Sequence, residues 1–116
     1  MESIKSTYGT MYYVDSMKEA VAFYKMVTGA TPEYESNEWT EFKFGEHRLC
    51  LHAKRDGHKS SPNGVLILNY DGVKSLFEKM KSDGLNVFGL HEVHPAAWSF
   101  HMLDKSNNET SFYGSP

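Results

Sequence analysis

One cysteine, Cys50, stands among 116 residues, so no internal disulfide can form and a reducing, cytoplasmic setting is expected. Long hydrophobic runs are also missing. The longest, about Val65–Leu68, falls far short of the ~20 residues that a membrane span needs. The opening Met1-Glu2-Ser3-Ile4-Lys5 leads into no apolar signal segment. No membrane partner is expected. The 12 basic and 15 acidic residues leave a net charge of −3, which offers a polyanion nothing. Lys54, Lys59, Lys74, Lys79 and Lys81 are scattered among acids rather than set in a stripe, so no nucleic-acid partner is expected either. The chain has no glycine-rich phosphate loop, no Ser-His-Asp order and no zinc-type Cys/His spacing.

What is present is a globular composition, 40% hydrophobic and 23% charged, on a chain the length of one domain. Aromatic residues reach 14%, with seven tyrosines, which suggests that some rings line a binding surface as well as a core.

The patterning divides the chain into two similar halves. Gly9–Val14 reads as a strand bounded by a turn. Asp15 or Ser16 then caps a helix over Met17–Thr28, with Glu19 at the capping-box distance from Ser16 and Gly29 as the stop. Three strands follow: Glu33–Ser36, Trp39–Phe44 and, after the Gly45-Glu46 turn, His47–Ala53. The polar stretch 56–64 (DGHKSSPNG) reads as a linker. The order then repeats: a strand at Val65–Tyr70, a helix opened by Asp71 and closed at Gly84, and strands at Asn86–Val93, Ala97–Leu103 and Glu109–Tyr113. The expected class is α+β. One domain spans 1–116, built from two tandem βαβββ modules (about 8–55 and 65–114) that form an eight-stranded, cup-shaped mixed sheet.

Alternation sorts the side chains. Phe42, Phe44, Leu49, Leu51, Phe100 and Met102 are expected to face the helices. The opposite parity lines the cup: Trp39, Glu41, Arg48, Cys50, His52, Ser99 and His101, with Ser111 and Tyr113. Tyr13 and Tyr113 frame it from the two modules. Trp98 shares the parity of Phe100 and is either core or lip. An inward polar face is also what any antiparallel sheet shows to water. Arg48, the one cation expected to face inward, can pair with Glu41 or meet an anionic ligand. Cys50 reads as a half-buried small residue. His91-Glu92-Val93-His94 has an HxxH spacing, but i and i+3 on a strand point to opposite faces, which makes a poor chelate. His47 and His58 read as surface.

Several stretches carry a resemblance. They are Tyr12-Tyr13-Val14-Asp15, Ala20-Val21-Ala22-Phe23-Tyr24, Thr28-Gly29-Ala30, Trp39-Thr40-Glu41-Phe42-Lys43-Phe44-Gly45, Leu49-Cys50-Leu51-His52, and Ser99-Phe100-His101-Met102-Leu103-Asp104 followed by Asn108. Together they resemble the vicinal oxygen chelate superfamily, the glyoxalase / bleomycin-resistance / ring-cleaving dioxygenase group. This sequence has Lys105, Ser106 and Asn107 where that group usually has Pro, Asp and Gly. The resemblance implies the cup and a homodimer. It also implies a divalent metal held by His and Glu at four inward positions, which here fall on Gly9 (or Tyr8), Cys50, Val65 and Ser111. None of these is His, Asp or Glu, so the resemblance is to the metal-free, drug-binding members, and no cofactor is expected.

The expected function is metal-independent binding, by sequestration, of an aromatic or amphipathic small molecule. Its site would comprise Tyr13, Trp39, Glu41, Arg48, His52, Ser99, His101 and Tyr113. One alternative is a metal-dependent lyase, isomerase, dioxygenase or thiol transferase with a relocated ligand set of His52, His101 and Glu41. Another is a non-catalytic, dimeric interaction module.

Overall fold

A computed structural model describes residues 2–55 and 63–116. The stretch read as a linker, with His58, falls almost wholly outside the described residues. The elements are β1 (Thr7–Val14), α1 (Met17–Thr28), β2 (Tyr34–Glu35), β3 (Trp39–Phe44), β4 (His47–Ala53), β5 (Val65–Asn69), α2 (Val73–Ser82), β6 (Val87–His94), β7 (Ala97–Leu103) and β8 (Glu109–Gly114). All eight strands form one mixed sheet in the order β2-β3-β4-β1-β5-β8-β7-β6. β1 runs parallel to β4, β5 runs parallel to β8, and β1 meets β5 antiparallel at the middle. The two halves of the sheet thus repeat one another about the β1–β5 seam.

α1 forms where expected. Ser16 accepts from the Glu19 amide, and Gly29 takes the left-handed conformation (φ 71°) that ends the helix. α2 starts differently. Asp71 does not cap it; the Asp71 carboxylate accepts from the Ser115 hydroxyl instead. Gly72 occupies the cap position at φ 92° with no side-chain hydrogen bond. The amides of Gly72 and Val73 donate to the Ser115 carbonyl and that of Lys74 to Pro116, so a distant part of the chain satisfies the helix start.

One face of the sheet packs against the helices. Val21 lies on Phe42 and Leu51, with Leu49 alongside. Val73, Leu76 and Met80 lie on Phe100 and Phe112, joined by Met102. Phe42, Phe100 and Leu51 are fully buried. Trp98 belongs to this helix-side core, with the Lys74 ammonium 4.5 Å above its ring. Phe44 departs from the expectation: it stacks on Phe42 at the strand end but stays largely exposed, because no helix reaches it. No helix among the described residues is long and apolar enough to cross a membrane.

Candidate functional site

The opposite face carries the chemistry. Its floor is a second apolar cluster of Met11, Cys50, Val65 and Ile67, ringed by Tyr8, Tyr13, Trp39 and Tyr113. Strand register explains the row: Glu41 pairs with Cys50, Cys50 with Met11, Met11 with Val65, and Val65 with Glu109. Residues paired directly across a ladder point to the same side of the sheet, so all five project from one face.

Two carboxylates stand at the ends of that row. Glu41 is held by the module-one side chains. Its Oε1 accepts from the Tyr8 hydroxyl at 2.6 Å and from Trp39 Nε1 at 2.9 Å. Its Oε2 lies 3.5 Å from Arg48 Nε. The Arg48 guanidinium also sits 4.6 Å over the Tyr8 ring. The pairing of Glu41 with Arg48 is therefore the internal one. His52 lies against Trp39 (5.6 Å between centroids) and Tyr13 (5.3 Å), and its Nδ1 is 2.7 Å from the Ala53 carbonyl.

Glu109, at the other end, is almost wholly buried. Its Oε2 accepts from the Tyr13 hydroxyl at 3.1 Å and lies 3.2 Å from His101 Nδ1. Ser111 Oγ is 2.6 Å from the same ring nitrogen. A nucleophilic triad needs serine and acid on different ring nitrogens. Here both converge on Nδ1, so Ser111 is not an activated nucleophile. Ser99 is buried beneath Tyr113, its partner across the ladder, and Tyr113 packs edge-on against Tyr8 at 5.1 Å.

The concave face includes residues that alternation assigned elsewhere. β6 carries two irregularities, between Phe88 and His91 and between Glu92 and His94, each inserting one extra residue. Phe88 pairs with His101, His91 with Ser99, and His94 with Ala97. All three partners lie on the concave face, so His91 and His94 point the same way. The opposite-face expectation for HxxH is corrected: it holds only for an unbroken ladder. The His91 ring lies 6.2 Å from that of His101, and His94 Nε2 lies 2.8 Å from the Tyr113 hydroxyl. Gly89, at φ 72°, makes the first bulge.

Burial sets the ionisation of this face. The Cys50 thiol is pushed up to about 12, first by burial and then by the Glu41 charge. The phenols of Tyr8 and Tyr13 are driven well above the ordinary tyrosine range by burial, with Glu41 acting on the first and Glu109 on the second. These groups are neutral at physiological pH, and the two phenols donate to the carboxylates.

The divalent metal implied by the family resemblance does not fit these residues. Gly9 bears no donor, and a Cβ there would lie 2.2 Å from the Arg48 carbonyl oxygen. Cys50 is a buried thiol, Val65 is apolar, and Ser111 is engaged with His101. The relocated set does not converge: Glu41 and His52 belong to the module-one group, His101 to the other. Among the described residues, no group of three or more His, Cys, Asp or Glu is arranged to hold a metal ion. A groove of about 720 Å³ opens on the helix side beside Met17, Val21 and Ser36, but the buried titratable groups lie on the concave face, and the candidate site is placed there.

No family model and no curated protein matches this sequence. Solved structures do. A glyoxalase/bleomycin resistance protein/dioxygenase superfamily member from Vibrio splendidus 12B01 aligns over 90% of this chain and 95% of its own, at 13% identity and a TM-score of 0.68. Methylmalonyl-CoA epimerase from Streptomyces coelicolor, in complex with 2-nitronate-propionyl-CoA, aligns over 97% and 99%, at 13% identity and a TM-score of 0.73. A Legionella pneumophila protein described as an NAD-dependent benzaldehyde dehydrogenase aligns over 92% and 97%, at 14% identity and a TM-score of 0.73. At these identities the likeness is one of fold. The paired βαβββ halves and the single eight-stranded sheet of this chain are the fold of the glyoxalase/bleomycin resistance/dioxygenase, or vicinal oxygen chelate, superfamily.

Proposed function

We propose that the concave face binds an aromatic or amphipathic small molecule without a divalent metal, and that the protein acts by holding it. One observation carries this reading. Both carboxylates of the face are already taken up by the protein's own donors, Glu41 by Tyr8, Trp39 and Arg48, and Glu109 by Tyr13 and His101. Rings and an apolar floor are left to meet a ligand, the usual make-up of a small-molecule site. In the same reading the protein is a cytoplasmic homodimer.

A thermal-shift panel of aromatic and amphipathic compounds tests the reading, since a ligand of the native state raises its melting temperature. A hit that is unchanged by chelator is expected. An empty panel, or stoichiometric metal in the purified protein by elemental analysis, would overturn it.

A second reading rests on the His101–Glu109 pair. An imidazole whose Nδ1 is held by a carboxylate is the arrangement of a general base, and it suits proton abstraction from a bound carbon acid. Protein-dependent washout of a carbon-bound deuterium from a hit into solvent, abolished by His101→Ala, would move the protein from binder to enzyme.

A further inference from the structure

Resting on the small-molecule reading, we infer that the module-two wall of the cup takes its ligand through a protonated amine or amidine carried on an aromatic ring. His91 and His101 are the accepting groups.

The tautomers follow from the partners. The Nδ1 of His91 is 2.7 Å from the Gly89 carbonyl, and a carbonyl only accepts, so Nδ1 carries the proton. The Nδ1 of His101 faces the Glu109 carboxylate at 3.2 Å, which also only accepts, and Ser111 Oγ at 2.6 Å, a hydroxyl able to accept; the carboxylate decides, and Nδ1 carries the proton. In each neutral ring the lone pair then sits on Nε2. Neither Nε2 has a protein hydrogen-bond partner among the described residues. His94 differs, because its Nε2 is 2.8 Å from the Tyr113 hydroxyl. The β6 bulge therefore sets two acceptor nitrogens on one wall, with ring centroids 6.2 Å apart and planes within 18°.

Charge points the same way. The concave residues of β5, β6, β7 and β8 include Glu109 and no lysine or arginine. An ammonium donating to His101 Nε2 would have the Glu109 charge directly behind the ring. A carboxylate there would set lone pair against lone pair and meet the same negative charge. Phe88 lies 5.6 Å from His101 at 29°, giving an aromatic ring something to stack on beside the acceptors.

Calorimetric titration at pH 8 with benzylamine, benzamidine, phenol and benzoate tests the assignment. The two cations are expected to bind and benzoate to fail. His91→Ala and His101→Ala should each weaken the cations about 10–100-fold, the loss of one hydrogen bond to a charged group. His47→Ala, on an exposed residue outside the cup, should leave them unchanged. If His101→Ala fails to fold because Glu109 loses a partner, His91→Ala carries the test, since its ring touches the exposed end of the wall. Benzoate or phenol binding as well as the amines, or cation affinity indifferent to both histidines, would overturn the inference. So would silence from all four probes. A hit in the broader thermal-shift panel would then leave the small-molecule reading standing, and an empty panel would remove both.

Discussion

The hydroxyl of Tyr13 donates to the carboxylate of Glu109 at 3.1 Å, across 96 residues of sequence. The bond crosses from the first half of the sheet to the second, and it partners a carboxylate that has left water. Replacing Tyr13 by Phe keeps the ring and removes the donor. The expected cost is about 1–2 kcal/mol, that of a buried acceptor deprived of one hydrogen bond, measured by urea unfolding. Combining it with Glu109→Gln should cost less than the sum of the two changes.

Cys50 is a thiol, not a thiolate. Its ionisation is pushed up to about 12 and its side chain is buried within the cup floor. The native protein at pH 7.5 should react with a disulfide reagent many times more slowly than the urea-unfolded chain. Equal rates would mean that the floor opens readily.

The raised phenols make the fold sensitive to alkali. Tyr8 and Tyr13 stay protonated in the folded state at pH values where they ionise in the unfolded chain. Their contribution is fully present below the ordinary tyrosine range near pH 10 and is lost as pH climbs above it, because the folded state then binds more protons than the unfolded. Unfolding free energy should fall with pH above about 10. The fall should be shallower in the Tyr8→Phe, Tyr13→Phe double variant.

Gly9 pairs with Arg48 in the parallel β1–β4 ladder, where an added Cβ would lie 2.2 Å from a backbone oxygen. Backbone cannot turn aside as a side chain can. Gly9→Ala should destabilise by about 1–3 kcal/mol through forced separation of the strands, visible as a lowered urea midpoint.

The fold was legible because its signals are local. Ser16, Glu19 and Gly29 delimit α1 through bonds within their own few residues, and strict alternation in β3, β4 and β7 put Trp39, Glu41, His52 and His101 on one face. Alternation also puts Glu109 on that face, two residues before Ser111 on the same strand, but nothing in the sequence marks its burial or its pairing with Tyr13 and His101. Tyr8 fell outside the expected first strand; an irregularity between Thr7 and Gly9 turns it into the cup. β6 defeated parity for a physical reason, since a bulge resets the period of two and only Gly89 hinted at one. The cap of α2 could not be seen locally, because the carbonyls that supply it lie more than forty residues away by backbone route.

The seam where β1 and β5 run antiparallel relates two near-copies of the same scaffold by a half-turn, yet their linings are unalike. One side offers a carboxylate gripped by a phenol, an indole and a guanidinium; the other offers imidazoles backed by an acid. A symmetrical frame dressed so unevenly has a head and a foot. If the cup holds a guest as proposed, one with two different ends should favour one orientation over the other.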